Sequence, residues 1–146
     1  MLKPPEPSIP VAPAARAFEE AAESPFKGKK GLIRIVHAFF NSLAGLEDAF
    51  RHESAFRQEI LLAAILIPVA CLLPVAPVER AVLVGTVLLV LVVELLNTSV
   101  EAAIDRISFD HHSLSKRAKD IGSAAVLVSL VLLAAVWALV LAPIYF

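Results

Sequence analysis

The sequence predicts an all-α membrane protein: three transmembrane helices preceded by an amphipathic surface helix. Three observations carry this. Hydrophobic residues make up 58% of the 146, and the mean hydropathy of +0.78 is far above that of soluble domains. The apolar residues gather in three runs: Ile60 to Val78 without a charge, Ala81 to Val100 with Glu94 alone, and Ile121 to Phe146 without a charge. About 20 residues of helix cross a hydrocarbon core of roughly 30 Å. In lipid the backbone must satisfy its own hydrogen bonds, so such runs form helices.

Taken in order, residues 1–28 hold six of the ten prolines and many alanines. They lack the basic start and long apolar core of a signal peptide and read as a disordered cytoplasmic tail. The remaining residues, 29–146, read as one membrane domain. From Gly31 the pattern changes: Leu32, Val36, Phe39, Leu43, Leu46 and Phe50 recur at three- and four-residue steps, with Arg34, His37, Asn41 and Asp48 on the opposite face. That periodicity predicts an amphipathic helix over 31–52, lying flat on the membrane surface. Spans follow at 57–77, 80–106 and 118–144. Pro68, Pro74 and Pro77 kink or end the first, and a very short link at Pro77 to Arg80 makes a helical hairpin. The lone Cys71 excludes an internal disulfide and reads as a small buried or lipid-facing residue.

Basic residues set the orientation. Of 13 Lys and Arg, only Arg80 lies in the first hairpin and none follows Lys119, so 12 share one side. The positive-inside rule makes that side cytoplasmic, with the carboxyl end outside. Trp137 and Tyr145 fall where an outer aromatic belt is expected. A net charge of −1 gives no reason to expect a nucleic-acid partner.

The unusual stretch is "VVELLNTSVEAAIDR", Val92 to Arg106. At about 100° per residue, Glu94, Asn97, Glu101 and Asp105 share one stripe of the second span. Glu94 and Glu101 stand about 10 Å apart along the axis, so the stripe begins inside the membrane and leaves through its cytoplasmic boundary. An ionisable residue at depth costs on the order of 3 kcal/mol on insertion scales, and this helix needs no Glu to insert. A carboxylate withdrawn from water suits a general base. A second carboxylate at the boundary suits a hard cation such as Mg²⁺. Base, metal and nearby cations are the requirements of phosphoryl transfer to a lipid hydroxyl.

Flanking segments supply more. "FDHHSLSKRAKDIGSAAV" brings Lys116, Arg117, Lys119 and Asp120 ahead of the third span. Lys119 is placed to meet a phosphate, whereas topology alone accounts for Lys116 and Arg117. His111 and His112 lack an HExxH pattern or a Cys partner, and a place near a nucleotide suits them better than metal binding. "RHESAFRQEI" sets Glu53, Arg57 and Glu59 just before the first span. Glu53 reaches the same depth as Glu101, and a Glu53–Arg57 (i, i+4) ion pair is the plain alternative. There is no GxxxxGK[ST] and no GxGxxG, so a P-loop or protein-kinase fold is excluded.

"ELLNTSVEAAIDR" with "HSLSKRAKDIGSAAV", and "ESAFRQE" before the first span, resemble the signature segments of the bacterial integral-membrane diacylglycerol kinases. The likeness runs from about Gly31 to Phe146. It implies a homotrimeric helical bundle in the bacterial inner membrane, with active sites shared between chains and with MgATP and diacylglycerol as substrates. It implies Glu94 as catalytic base, Glu53 and Glu101 as metal ligands, and Asn97 and Asp105 as supporting polar residues. For ATP it implies Arg34, Asn41, Glu53, Glu101, Asp110, His111, His112, Lys119 and Asp120. For the lipid it implies Arg34, Ser42, Ala55, Phe56, Arg57, Gln58, Glu59, Glu94 and Ser123.

Some positions depart from the family pattern. Asn41 stands in place of a tyrosine, and His37 in place of a lysine. A related branch phosphorylates undecaprenol, and Asn97–Thr98 lean that way, while "AFRQE" and "RAKDIGSAA" lean toward diacylglycerol. Intramembrane carboxylates also mark ion and proton pathways. Against a conducting role, the acidic stripe stops partway along the second span, and the other spans carry no ionisable partner at depth.

Overall fold

The computed structural model describes residues 31–107 and 113–145. The tail at 1–28 and the stretch Asp110 to His112 lie outside them. The described residues are helical throughout, apart from short connections. They form α1 (Leu32–His52), α2 (Ser54–Leu72), α3 (Pro77–Ile107) and α4 (Ser113–Tyr145). The last three are each long and apolar enough to cross a membrane. The expected all-α architecture and its element order are therefore present. The chain divides into two compact units, Met1–Leu43 and Ala44–Phe146.

Within the first unit, α1 carries the expected amphipathic pattern. Ile33, Val36, Phe39, Phe40 and Leu43 all stay exposed. Phe39 and Phe40 meet edge to face, with centroids 5.9 Å apart. Ser42 is occupied locally, its hydroxyl donating to the Ala38 carbonyl at 2.9 Å.

In the second unit α1 ends at His52, and Arg57 finishes it. The Arg57 guanidinium donates to the carbonyls of Phe50 (3.1 Å) and Arg51 (3.0 Å). A cation on the last carbonyls of a helix complements its dipole. Arg57 is thus turned away from the (i, i+4) pair with Glu53.

The three spans pack in sequence order, α3 touching both α2 and α4. On α2 the buried residues are Phe56, Glu59, Ala63 and Ala70, a single stripe at steps of three, four and seven. Small residues there let helix backbones approach. The facing stripe of α3 is Leu83, Val87 and Val90, joined by Leu133 and Trp137 from α4. Ala70 is fully buried, so Ala70→Leu should overpack this seam and cost about 1–3 kcal/mol. Unfolding in mixed micelles checks this, and an unchanged midpoint would place Ala70 outside the packed seam. Two buried hydroxyls satisfy themselves on their own helices: Thr86 donates to the Leu83 carbonyl at 2.9 Å and Ser129 to Val126 at 2.7 Å.

Three expectations shift. The hairpin link is Leu73 to Ala76 rather than Pro77 to Arg80. Proline cannot sit inside a helix without cost but is pre-organised for its first position, so Pro77 opens α3. The Glu79 carboxylate accepts from the Ala76 amide at 2.8 Å, and Arg80 reaches back to the carbonyls of Ala70 (3.3 Å) and Leu73 (3.1 Å). The outer spans also begin earlier than expected, at Ser54 and Ser113, because polar turns continue the helices beyond their apolar cores. Trp137 does not line an aromatic belt. It is buried in the core cluster with its Nε1 unpartnered.

Candidate active site

The core stripe of α3 does not end where its apolar residues end. Leu83, Val87 and Val90 continue at the same three- and four-residue steps into Glu94, Asn97 and Glu101. The face that packs the bundle therefore becomes, one turn later, the face that carries the polar groups. Packing explains the burial of Glu94, which is 4% exposed.

Glu94 is not the only buried acid. Glu59 on α2 is 8% exposed, and its Oε2 has no hydrogen-bond partner. Glu94 lies within Coulombic reach of Glu59, of Glu53 and of Glu101. Two helices thus bring four carboxylates to one end of the bundle. Glu53 occupies the N-cap of α2 in extended backbone, yet its side chain makes no capping bond and stays available. Glu101 accepts a hydrogen bond from Asn97 Nδ2 at 3.0 Å.

Such a donor set fits a divalent cation. Like charges gathered this closely repel, and a cation among them relieves the repulsion. Among the described residues no three His, Cys, Asp or Glu side chains converge as a metal cage. Mg²⁺ needs none, since it binds through one or two carboxylates and takes its other ligands from water and phosphate oxygens. Glu53 and Glu101 are carboxylates of the kind Mg²⁺ takes.

On α4, Lys119 donates to Asp105 Oδ1 at 2.6 Å, tying α3 to α4, and it also lies in the field of Glu101. Lys116 pairs with Asp120 one turn along. Beyond this tie an apolar groove of about 450 Å³ runs between α3 and α4, lined by Val93, Leu96, Val100 and Ile121, with Asn97 and Gly122. Among the other candidates, Phe56 is buried, while Ala55, Arg57, Gln58 and Ser123 are exposed. Arg34, Asn41 and Ser42 belong to the first unit, and Asp110, His111 and His112 are outside the described residues.

Comparison with known proteins decides the family. Residues 40–141 match the family model described as prokaryotic diacylglycerol kinase. The chain belongs to the prokaryotic diacylglycerol kinase family. The Pseudomonas aeruginosa diacylglycerol kinase is 54% identical over 118 residues, covering 81% of this chain and 96% of that protein. The Haemophilus influenzae diacylglycerol kinase is 44% identical over 107 residues, 73% of this chain and 91% of its own. The Escherichia coli K12 diacylglycerol kinase is 42% identical over 111 residues, 76% and 91% of the two chains. Membership makes the chain a kinase, and its three long apolar helices make it a membrane protein. In this diacylglycerol kinase family member the acids stand on helices rather than on a loop, and rigid elements hold side chains in place.

Sequence reading missed two features of this site. Glu59 was expected only as a lipid contact, yet it faces Glu94 from the α2 stripe. Its spacing from Phe56 and Ala63 was the available signal. Glu59 thereby brings a second buried acid toward Glu94 from another helix. Gly122 was passed over entirely, although it lies against Asn97.

Proposed function

We propose that the protein transfers the γ-phosphate of ATP to the primary hydroxyl of diacylglycerol, giving phosphatidic acid and ADP. One observation carries the reading: a buried Glu94 set among Glu53, Glu59 and Glu101 in a chain of this kinase family. The lipid hydroxyl approaches from the bilayer and gives its proton to Glu94 as the new O–P bond forms. The bond from the γ-phosphorus to the bridging oxygen breaks, and ADP leaves with that electron pair. Glu53 and Glu101 would hold Mg²⁺, which would neutralise charge on the phosphates. Lys119, in the field of Glu101 and bonded to Asp105, adds positive charge at the phosphate side.

The same reading places the basic ends of the spans in the cytoplasm, where ATP is available, and the carboxyl end outside. It makes the working unit a homotrimer in the inner membrane, with α1 on the membrane surface. Exposed apolar residues along all three spans leave ample surface for neighbours and lipid.

The test is phosphate transfer from labelled ATP by purified protein in mixed micelles, with diacylglycerol and undecaprenol in parallel. Labelled phosphatidic acid is the expected product. Label in undecaprenyl phosphate alone would overturn the substrate but keep the chemistry. Label in neither, from folded protein, would overturn both, and ATP-independent proton flux in liposomes would then favour an ion pathway.

A further inference from the structure

Asn97 is held in an unusual way. Its Nδ2 donates to Glu101 Oε1 at 3.0 Å, while its Oδ1 is buried with no hydrogen-bond partner. Chemistry fixes which end is which: an ionised carboxylate only accepts, so the nitrogen must face Glu101. The oxygen is then pressed against Gly122 of the neighbouring helix. A Cβ added at Gly122 would overlap Asn97 Oδ1 and come within 3.3 Å of its Cγ. At Gly45 and Gly85, by contrast, a Cβ would meet nothing within 4 Å. Among the described helical glycines, Gly122 is the one whose missing side chain leaves room for another residue.

A buried carbonyl without a partner costs free energy. The amide nevertheless sits between α3 and α4, against Gly122, with the two helices joined nearby by Lys119 and Asp105. The result is an asparagine whose oxygen rests against Gly122 and whose donor is aimed at one carboxylate oxygen. Hydrogen bonds of this kind orient a ligating carboxylate and tune its affinity.

From this juxtaposition we infer that Gly122 is a positioning residue for the metal-binding carboxylate, acting through Asn97. The inference rests on the reading above that Glu101 holds the divalent cation. A side chain at position 122 ejects the Asn97 amide and leaves Glu101 free to turn. The phosphoryl-transfer chemistry itself does not touch Gly122.

The experiment uses full-length protein in mixed micelles. Mn²⁺ binding is followed by electron paramagnetic resonance in the presence of a non-hydrolysable ATP analogue. Four variants are compared with the parent: E101Q, N97A, G122A and N97A/G122A. Outer-shell partners typically contribute about 10-fold or more to metal affinity. N97A and G122A should each weaken Mn²⁺ binding by about that factor, and the double variant should be no weaker than N97A alone. Additive losses, or G122A binding like the parent, would overturn the inference. If G122A fails to fold while N97A/G122A folds, the steric contact with Asn97 is supported. If neither folds, N97A alone decides, since parent-like Mn²⁺ binding there leaves Gly122 nothing to act through. E101Q separates the two readings. Parent-like binding by E101Q removes Glu101 from the metal site and the inference with it. Weak binding by E101Q with N97A unchanged overturns the inference alone.

Discussion

Glu94→Gln should leave a protein that folds and inserts yet loses turnover by about 10²- to 10⁴-fold, the range that general-base catalysis contributes. Glutamine has the shape of glutamate, so the packing around a residue that is 4% exposed is preserved. It cannot accept the hydroxyl proton. The substitution also removes a negative charge from a group of four carboxylates, so the variant should unfold no more readily than its parent. Initial rates with saturating lipid and MgATP, beside an unfolding curve in the same micelles, measure both halves. Activity within a few-fold of the parent would take the base role away from Glu94. Lost activity with lost folding would reassign Glu94 to structure.

Glu101→Gln should act on metal dependence. The amide oxygen can still accept from Asn97, so the side chain should keep its place while losing its charge. The Mg²⁺ needed for half-maximal rate should rise by at least about 10-fold, the lower figure typical even for partners outside the metal shell. Excess Mg²⁺ should restore much of the rate. Titration of Mg²⁺ at fixed free ATP reads this directly. An unchanged titration would reject Glu101 as a ligand and leave Glu53 to hold the cation with phosphate and water.

Much of this was readable from the sequence, for physical reasons. Lipid demands long, charge-free runs, so the three spans announce themselves in composition. Helical periodicity puts Glu94, Asn97 and Glu101 on one stripe without any coordinates, and they do lie on the packed face. Other features depend on what stands opposite a residue. Glu59 stood in the sequence only as a lipid contact at the start of the first span, beside Glu53 and Arg57. Only the packing of α2 on α3 shows that it faces Glu94. Trp137 looked interfacial because tryptophan often is, but depth along a helix does not say which way a side chain points. Gly122 carries no signal at all in one dimension. Its importance is the empty volume it leaves for a residue 25 positions away. Hairpin closure was half legible: Pro77 marked a boundary, but the reach of Arg80 back to Ala70 and Leu73 needed the turn itself.

The order in which the spans touch has a consequence for biogenesis. Neighbours in sequence are neighbours in space, since α3 meets both α2 and α4. Such a topology has few distant loops to close, and it suits a chain that assembles as it leaves the ribosome. Glu53, Glu59, Glu94 and Glu101 all belong to the α2–α3 hairpin. Once that hairpin has inserted, the acidic cluster already exists, before α4 has been synthesised. The nascent hairpin must hold mutually repelling acids with no lysine from the third span. Lys119 arrives only with α4, where its bond to Asp105 ties the third span to the completed hairpin.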